Sequence, residues 1–105
     1  MPETFKVVAQ VDPPATTLTD AYTVLSTQFV GKVRICNRGG ATTYRVSQAV
    51  GGAVDDNKQY LAYDTAIGAN TNDEIRGIQL QTADKIRVYA GANTLSFNII
   101  GDEIT

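Results

Sequence analysis

Histidine and tryptophan are absent from this chain, and cysteine occurs once. Without histidine there is no side chain that ordinarily changes charge near neutral pH, and the commonest general base and metal ligand is missing. Neither a Ser-His-Asp nor a Cys-His site can be assembled. A single cysteine, Cys36, closes no disulfide within the chain, which excludes the framework of a small secreted scaffold. No apolar run approaches the roughly 20 residues that span a bilayer as a helix, so no membrane partner is expected. Met1-Pro2-Glu3 carries neither the basic stretch nor the apolar segment of a secretory signal, and folding in a cytoplasm is expected. Dinucleotide, phosphate-loop and zinc-protease motifs are all missing. Charge is sparse as well, at 19% of residues with a net charge of −2. Lys6, Lys32, Arg34, Arg38, Arg45, Lys58, Arg76, Lys85 and Arg87 are dispersed. No basic run follows a phosphate backbone, so nucleic acid is not an expected partner. These absences together argue against an enzyme and against any cofactor.

What the chain does contain is material for strands. Its 105 residues suffice for one domain and one core. Thr, Val, Ile and Tyr are frequent, and Gly, Asn, Asp and Pro clusters recur at short intervals. Strands are predicted at 5–11, 18–25, 29–38, 42–50, 59–64, 74–81, 85–90 and 94–100. Gly77 interrupts the sixth as a bulge would. Pro13-Pro14 ends the first, which sets off residues 1–14 as an arm or edge strand before a domain at 15–105. The alternation of apolar and polar residues predicts an all-β, antiparallel β-sandwich of about eight short strands, jelly-roll or immunoglobulin-like. Its core is expected to hold Val33, Ile35, Tyr44, Val46, Ile78, Leu80, Ile86, Val88, Leu95, Phe97 and Ile99. The strands on either side of Asn37-Arg38-Gly39-Gly40 read as a hairpin. Tyr60 is expected in the core with its hydroxyl at the rim.

No catalytic, cofactor-binding or metal-binding residue emerges. Cys36 reads as a half-buried thiol in a sheet rather than a nucleophile, since nothing activates it. Asp55-Asp56-Asn57 could offer hard oxygen ligands, but their spacing fits a turn beside Gly51-Gly52 and no ion-binding loop. Asp73-Glu74 and Asp102-Glu103 are neighbours on strands and point to opposite faces. Candidate assembly contacts do emerge. Phe5, Val7, Val8 and Val11 make the first strand apolar, fit to dock as an added strand. The domain is then expected to fold without residues 1–14. Tyr63 and Tyr89 occupy the more polar face of their strands, and Ile100 and Ile104 make the last strand apolar on both sides.

Several segments carry a family likeness. They are Ala21-Tyr22-Thr23-Val24, Val33-Arg34-Ile35-Cys36-Asn37-Arg38-Gly39, Thr42-Thr43-Tyr44-Arg45-Val46, Gln59-Tyr60-Leu61-Ala62-Tyr63-Asp64, Asp84-Lys85-Ile86-Arg87-Val88-Tyr89-Ala90 and Leu95-Ser96-Phe97-Asn98. In this order they resemble small virion proteins of tailed bacteriophages, over roughly residues 21–104. Leu25 stands where those relatives have proline. The resemblance implies a structural virion component made in the host cytoplasm. Its expected role is a capsid decoration (cement) protein, homo-oligomeric and bound to the major capsid protein or other virion proteins. The alternative it implies is a tail, baseplate or fibre-associated module, with receptor binding as a further role.

Overall fold

The computed structural model describes residues 3–104, with side-chain surroundings from Lys6 onward. Eight strands follow one another: β1 (Glu3–Val11), β2 (Thr19–Thr23), β3 (Gln28–Asn37), β4 (Thr42–Ala49), β5 (Tyr60–Ile67), β6 (Asn72–Gln81), β7 (Lys85–Ala90) and β8 (Leu95–Ile104). Two short 3₁₀ turns, Val50–Gly52 and Asn57–Gln59, are the only helical segments among the described residues. Sheet A has the order β1-β8-β3-β6 and sheet B the order β2-β7-β4-β5, with every neighbouring pair antiparallel. First pairs with last, second with seventh, third with sixth and fourth with fifth. That nesting is the jelly-roll arrangement, and it excludes the immunoglobulin alternative, in which the first two strands are adjacent.

The chain changes sheet at every connection except β4–β5. The hairpin expected between β3 and β4 therefore does not exist: β3 lies in sheet A and β4 in sheet B. Asn37 is the reason the chain arches over here. It is almost wholly buried, and its amide nitrogen donates to the Gly40 and Gly68 carbonyls at 2.9 and 3.0 Å. Its side-chain oxygen accepts from the Gly39 N–H at 3.0 Å and from the Thr94 hydroxyl at 2.9 Å. One side chain thus ties the β3–β4, β5–β6 and β7–β8 connections together. It supplies the partners that backbone groups in a crossing loop would otherwise lack.

The core follows from strand alternation. Apart from Tyr60, every residue expected there is buried, joined by Val24, Phe29, Ala49, Ile67 and Ala90. Burying each large aliphatic or aromatic side chain contributes roughly 1.5–3 kcal/mol. Edge-to-face pairs, Tyr22 with Phe29 and Tyr44 with Phe97, lie within it at centroid distances of 5.1 and 6.5 Å. Each tyrosine keeps its hydroxyl at the rim, Tyr22 donating to Glu103 at 2.7 Å and Tyr44 to Asp73 at 2.9 Å. Burial, followed by the neighbouring carboxylate, pushes the Tyr44 phenol up to about 12. Gly31 and Gly101 face each other across β3 and β8 beneath the Phe29 ring. A Cβ on either would collide with a backbone carbonyl and with that ring, so only glycine fits this register position.

All register breaks fall on the outer strands. The extra residue lies in β1 between Val7 and Ala9, and in β2 between Asp20 and Tyr22. In β6 it falls opposite the Gly31–Val33 step, at Gly77 with a φ of +74°; β5 carries two such breaks. The inner pairs β3–β8 and β4–β7 run without interruption. Bulges on free edges twist them away from regular ladders and discourage edge-to-edge pairing. β1 is one of these edges, paired antiparallel with β8 of its own sheet. Val8, Ala9 and Val11 pack against the core, so β1 is an integral edge strand, and removing residues 1–14 is expected to destabilise the sandwich.

Candidate interaction surfaces

Sheet A exposes a narrow apolar strip on its outer face. Even-numbered positions of β3 and β8 face outward, and among Lys32, Arg34, Asn98 and Asp102 stand Val30, Ile100 and Ile104. Ile100 pairs with Val7 on one side and Lys32 on the other, while Val30 pairs with Asp102, diagonally adjacent to Ile100 and Ile104. Val7 is 48% exposed and Val30 41%. Ile100 and Ile104 are half-buried. Of the expected contacts, Val7, Ile100 and Ile104 thus meet on one surface. Val8 and Val11 do not: Val8 turns inward by alternation from Val7, and the bulge between Val7 and Ala9 brings Val11 inward as well. Phe5 stands opposite Asp102 in the register, and its side chain lies outside the described residues. Val30 was missed, though its signal was present: it is apolar at a position of β3 that alternation assigns to the polar side.

Beside the strip, Glu74 gathers three cations. Arg34 donates to it at 3.1 Å, Lys32 lies 3.3 Å away, and Arg76 closes a third pair. Hydrogen bonds from Arg76 and then Arg34 draw its carboxyl down to about 2. At the rim where β1 meets β2, Glu103 accepts from Tyr22 and pairs with Lys6 at 3.2 Å. Cys36 is exposed on the same outer face and not half-buried, since its neighbours across the ladder, Asn72 and Ser96, leave it uncovered.

The outer face of sheet B carries an aromatic cluster. Arg45 of β4 lies between two tyrosine rings, 4.2 Å from the Tyr63 centroid and 4.3 Å from that of Tyr89. Its guanidinium donates to both carboxylate oxygens of Asp64, at 2.7 and 3.3 Å. Tyr60 stands perpendicular to Tyr63, 5.0 Å away, and donates its hydroxyl to Asp55 at 2.9 Å. The two expected tyrosines are therefore brought together, by an arginine that alternation did not connect to them. Tyr60 is not in the core. The break in β5 between Tyr60 and Ala62 turns residues three apart onto the same outer face, where strict alternation would separate them.

Residues 50–59 form a strap over this face. Arg87 donates to the carbonyls of Ala53 and Gly52 at 2.7 and 3.3 Å, and its Nε donates to Asp20 at 2.9 Å. Buried Asp84 accepts from the Gly51 N–H at 2.8 Å. Asp56 caps the second 3₁₀ turn, accepting from the Lys58 N–H while Gln59 accepts from the Asp56 N–H. Asp56 is thus engaged in turn structure, and Asp55 holds the Tyr60 hydroxyl. Among the described residues no three His, Cys, Asp or Glu side chains converge as a metal site. No helix is long and apolar enough to cross a membrane. In comparison with known proteins, no family model matches the chain and no curated protein matches it.

Proposed function

We propose that this chain is a structural component of a bacteriophage virion, a capsid decoration protein that binds the shell and holds neighbouring subunits together. The phage setting rests on the sequence likeness over residues 21–104. The observation that carries the docking role is the strip of Val7, Val30, Ile100 and Ile104 across the middle of sheet A's outer face. Such a strip gains about 25 cal/mol for each Å² of apolar area it buries against a partner. That contact is weak singly, but repetition around a symmetric shell, or within a homo-oligomer, multiplies its effect. The partner is the major capsid protein or another virion protein. Docking through a face agrees better with the bulged edges than docking through β1 as an added strand. The work performed is thermodynamic, stabilising a joint between subunits, and requires no catalytic group.

Immunogold labelling of intact particles tests the reading. Label over the head is expected. Label confined to the tail tip, or no label, contradicts it.

A further inference from the structure

We infer that the corner between Tyr60 and Tyr63 on the outer face of sheet B binds a neutral sugar ring. This site lies on the opposite side of the sandwich from the apolar strip and stands independently of how the chain assembles. Three features support it. First, Tyr63 is 55% exposed, and with Tyr60 at right angles and Asn57 beside them it lines an open groove of about 290 Å³. That is the small end of ligand sites, suited to one ring rather than to a protein surface. A pyranose presents an apolar C–H face to an aromatic ring and a belt of hydroxyls to polar neighbours, and this corner offers both. Second, the rings are held before any ligand arrives: Asp55 anchors the Tyr60 hydroxyl, and Arg45, fixed by Asp64, braces Tyr63. Preorganisation lowers the ordering cost of binding. Third, Arg45 is already paired with Asp64, and Asn57, Tyr60 and Tyr63, which line the groove, carry no charge to select an anion. The Asn57 amide and the Tyr63 hydroxyl, both on exposed residues, make no hydrogen bond among the described residues and remain available to sugar hydroxyls.

The test is a ¹⁵N–¹H NMR titration of the full chain with D-glucose, D-galactose, D-mannose and N-acetyl-D-glucosamine, each to about 50 mM. At least one sugar is expected to saturate with a dissociation constant on the order of 1–10 mM. Its shifts should be confined to residues 57–64, Arg45 and Tyr89. Tyr63→Ala should weaken binding by roughly tenfold, while Tyr63→Phe keeps the ring and stays within about threefold. If Tyr63→Ala unfolds, Asn57→Ala, which touches no ring contact, should still weaken binding by about threefold. No saturating shift with any of the four sugars overturns the assignment. So do shifts centred elsewhere, or a response at this corner only to inorganic phosphate or to a virion protein.

Discussion

Replacing Asn37 by alanine tests how the jelly-roll connections are held. The side chain makes four hydrogen bonds, two as donor to the Gly40 and Gly68 carbonyls and two as acceptor from Gly39 and Thr94. Each such bond contributes about 0.5–1.5 kcal/mol net, and a partner left buried without water costs more. Water can reach some of the freed loop groups, since Gly40 and Gly68 are exposed. The expected loss is therefore roughly 2–4 kcal/mol rather than the full sum. For a domain of this size that lowers the melting temperature by roughly 10–20 °C. Thermal denaturation followed by circular dichroism measures it. Asn37→Asp should fall in the same range, because it keeps the acceptor but turns a carboxylate oxygen toward two carbonyls. A melting temperature within about 3 °C of the parent for Asn37→Ala would show that the three connections are held by something else.

Two further outcomes follow from local geometry and charge. Gly101→Ala should destabilise by about 1–3 kcal/mol, since its methyl meets the Val30 carbonyl as well as Phe29. Combining it with Phe29→Leu should not restore stability, because the carbonyl stays; Gly40→Ala, with nothing near its Cβ, should melt within about 3 °C of the parent. Glu74 sits at about 2 in the fold against an ordinary 4.5, so its contribution is present above pH 4.5 and is lost as the pH falls toward 2. Urea midpoints across that window should drop more steeply for the parent than for Glu74→Gln, and parallel curves would refute the role of the cation cluster.

Much of this fold was legible because alternation is a local property. Phe97 and Ile99 lie inward and Asn98 outward in the sequence pattern and in the structure alike, and β1 ends at Val11, one residue before Pro13-Pro14. Pairing was less legible, because it depends on distant residues. Nothing near Asn37-Arg38-Gly39-Gly40 announces that the amide will bind carbonyls at Gly68 rather than close a hairpin. A bulge hid the aromatic corner: parity places Tyr60 with Ala62, whereas the extra residue between them in β5 brings it to the face of Tyr63. The same mechanism turned Val11 toward the core. Within the phage likeness, Ile35-Cys36-Asn37 now has a physical reading: Ile35 fills the core, Cys36 is exposed, and Asn37 holds the arch. The motif has a folding role, and the contacts proposed for function lie on outward side chains such as Val30 and Tyr63.

The docking claim is tested most directly by occupancy on particles. Virions lacking the endogenous polypeptide would be incubated with purified parent chain or with Val30→Asp, and the bound copies counted by quantitative mass spectrometry. Val30 is exposed on a strand paired on both sides, so the variant is expected to fold as the parent does. The parent should bind in many copies per particle, and the variant should lose at least about tenfold in affinity, as burying an unpaired carboxylate in the contact demands. Equal occupancy of the two proteins, or particles that bind neither, would contradict assembly through this face.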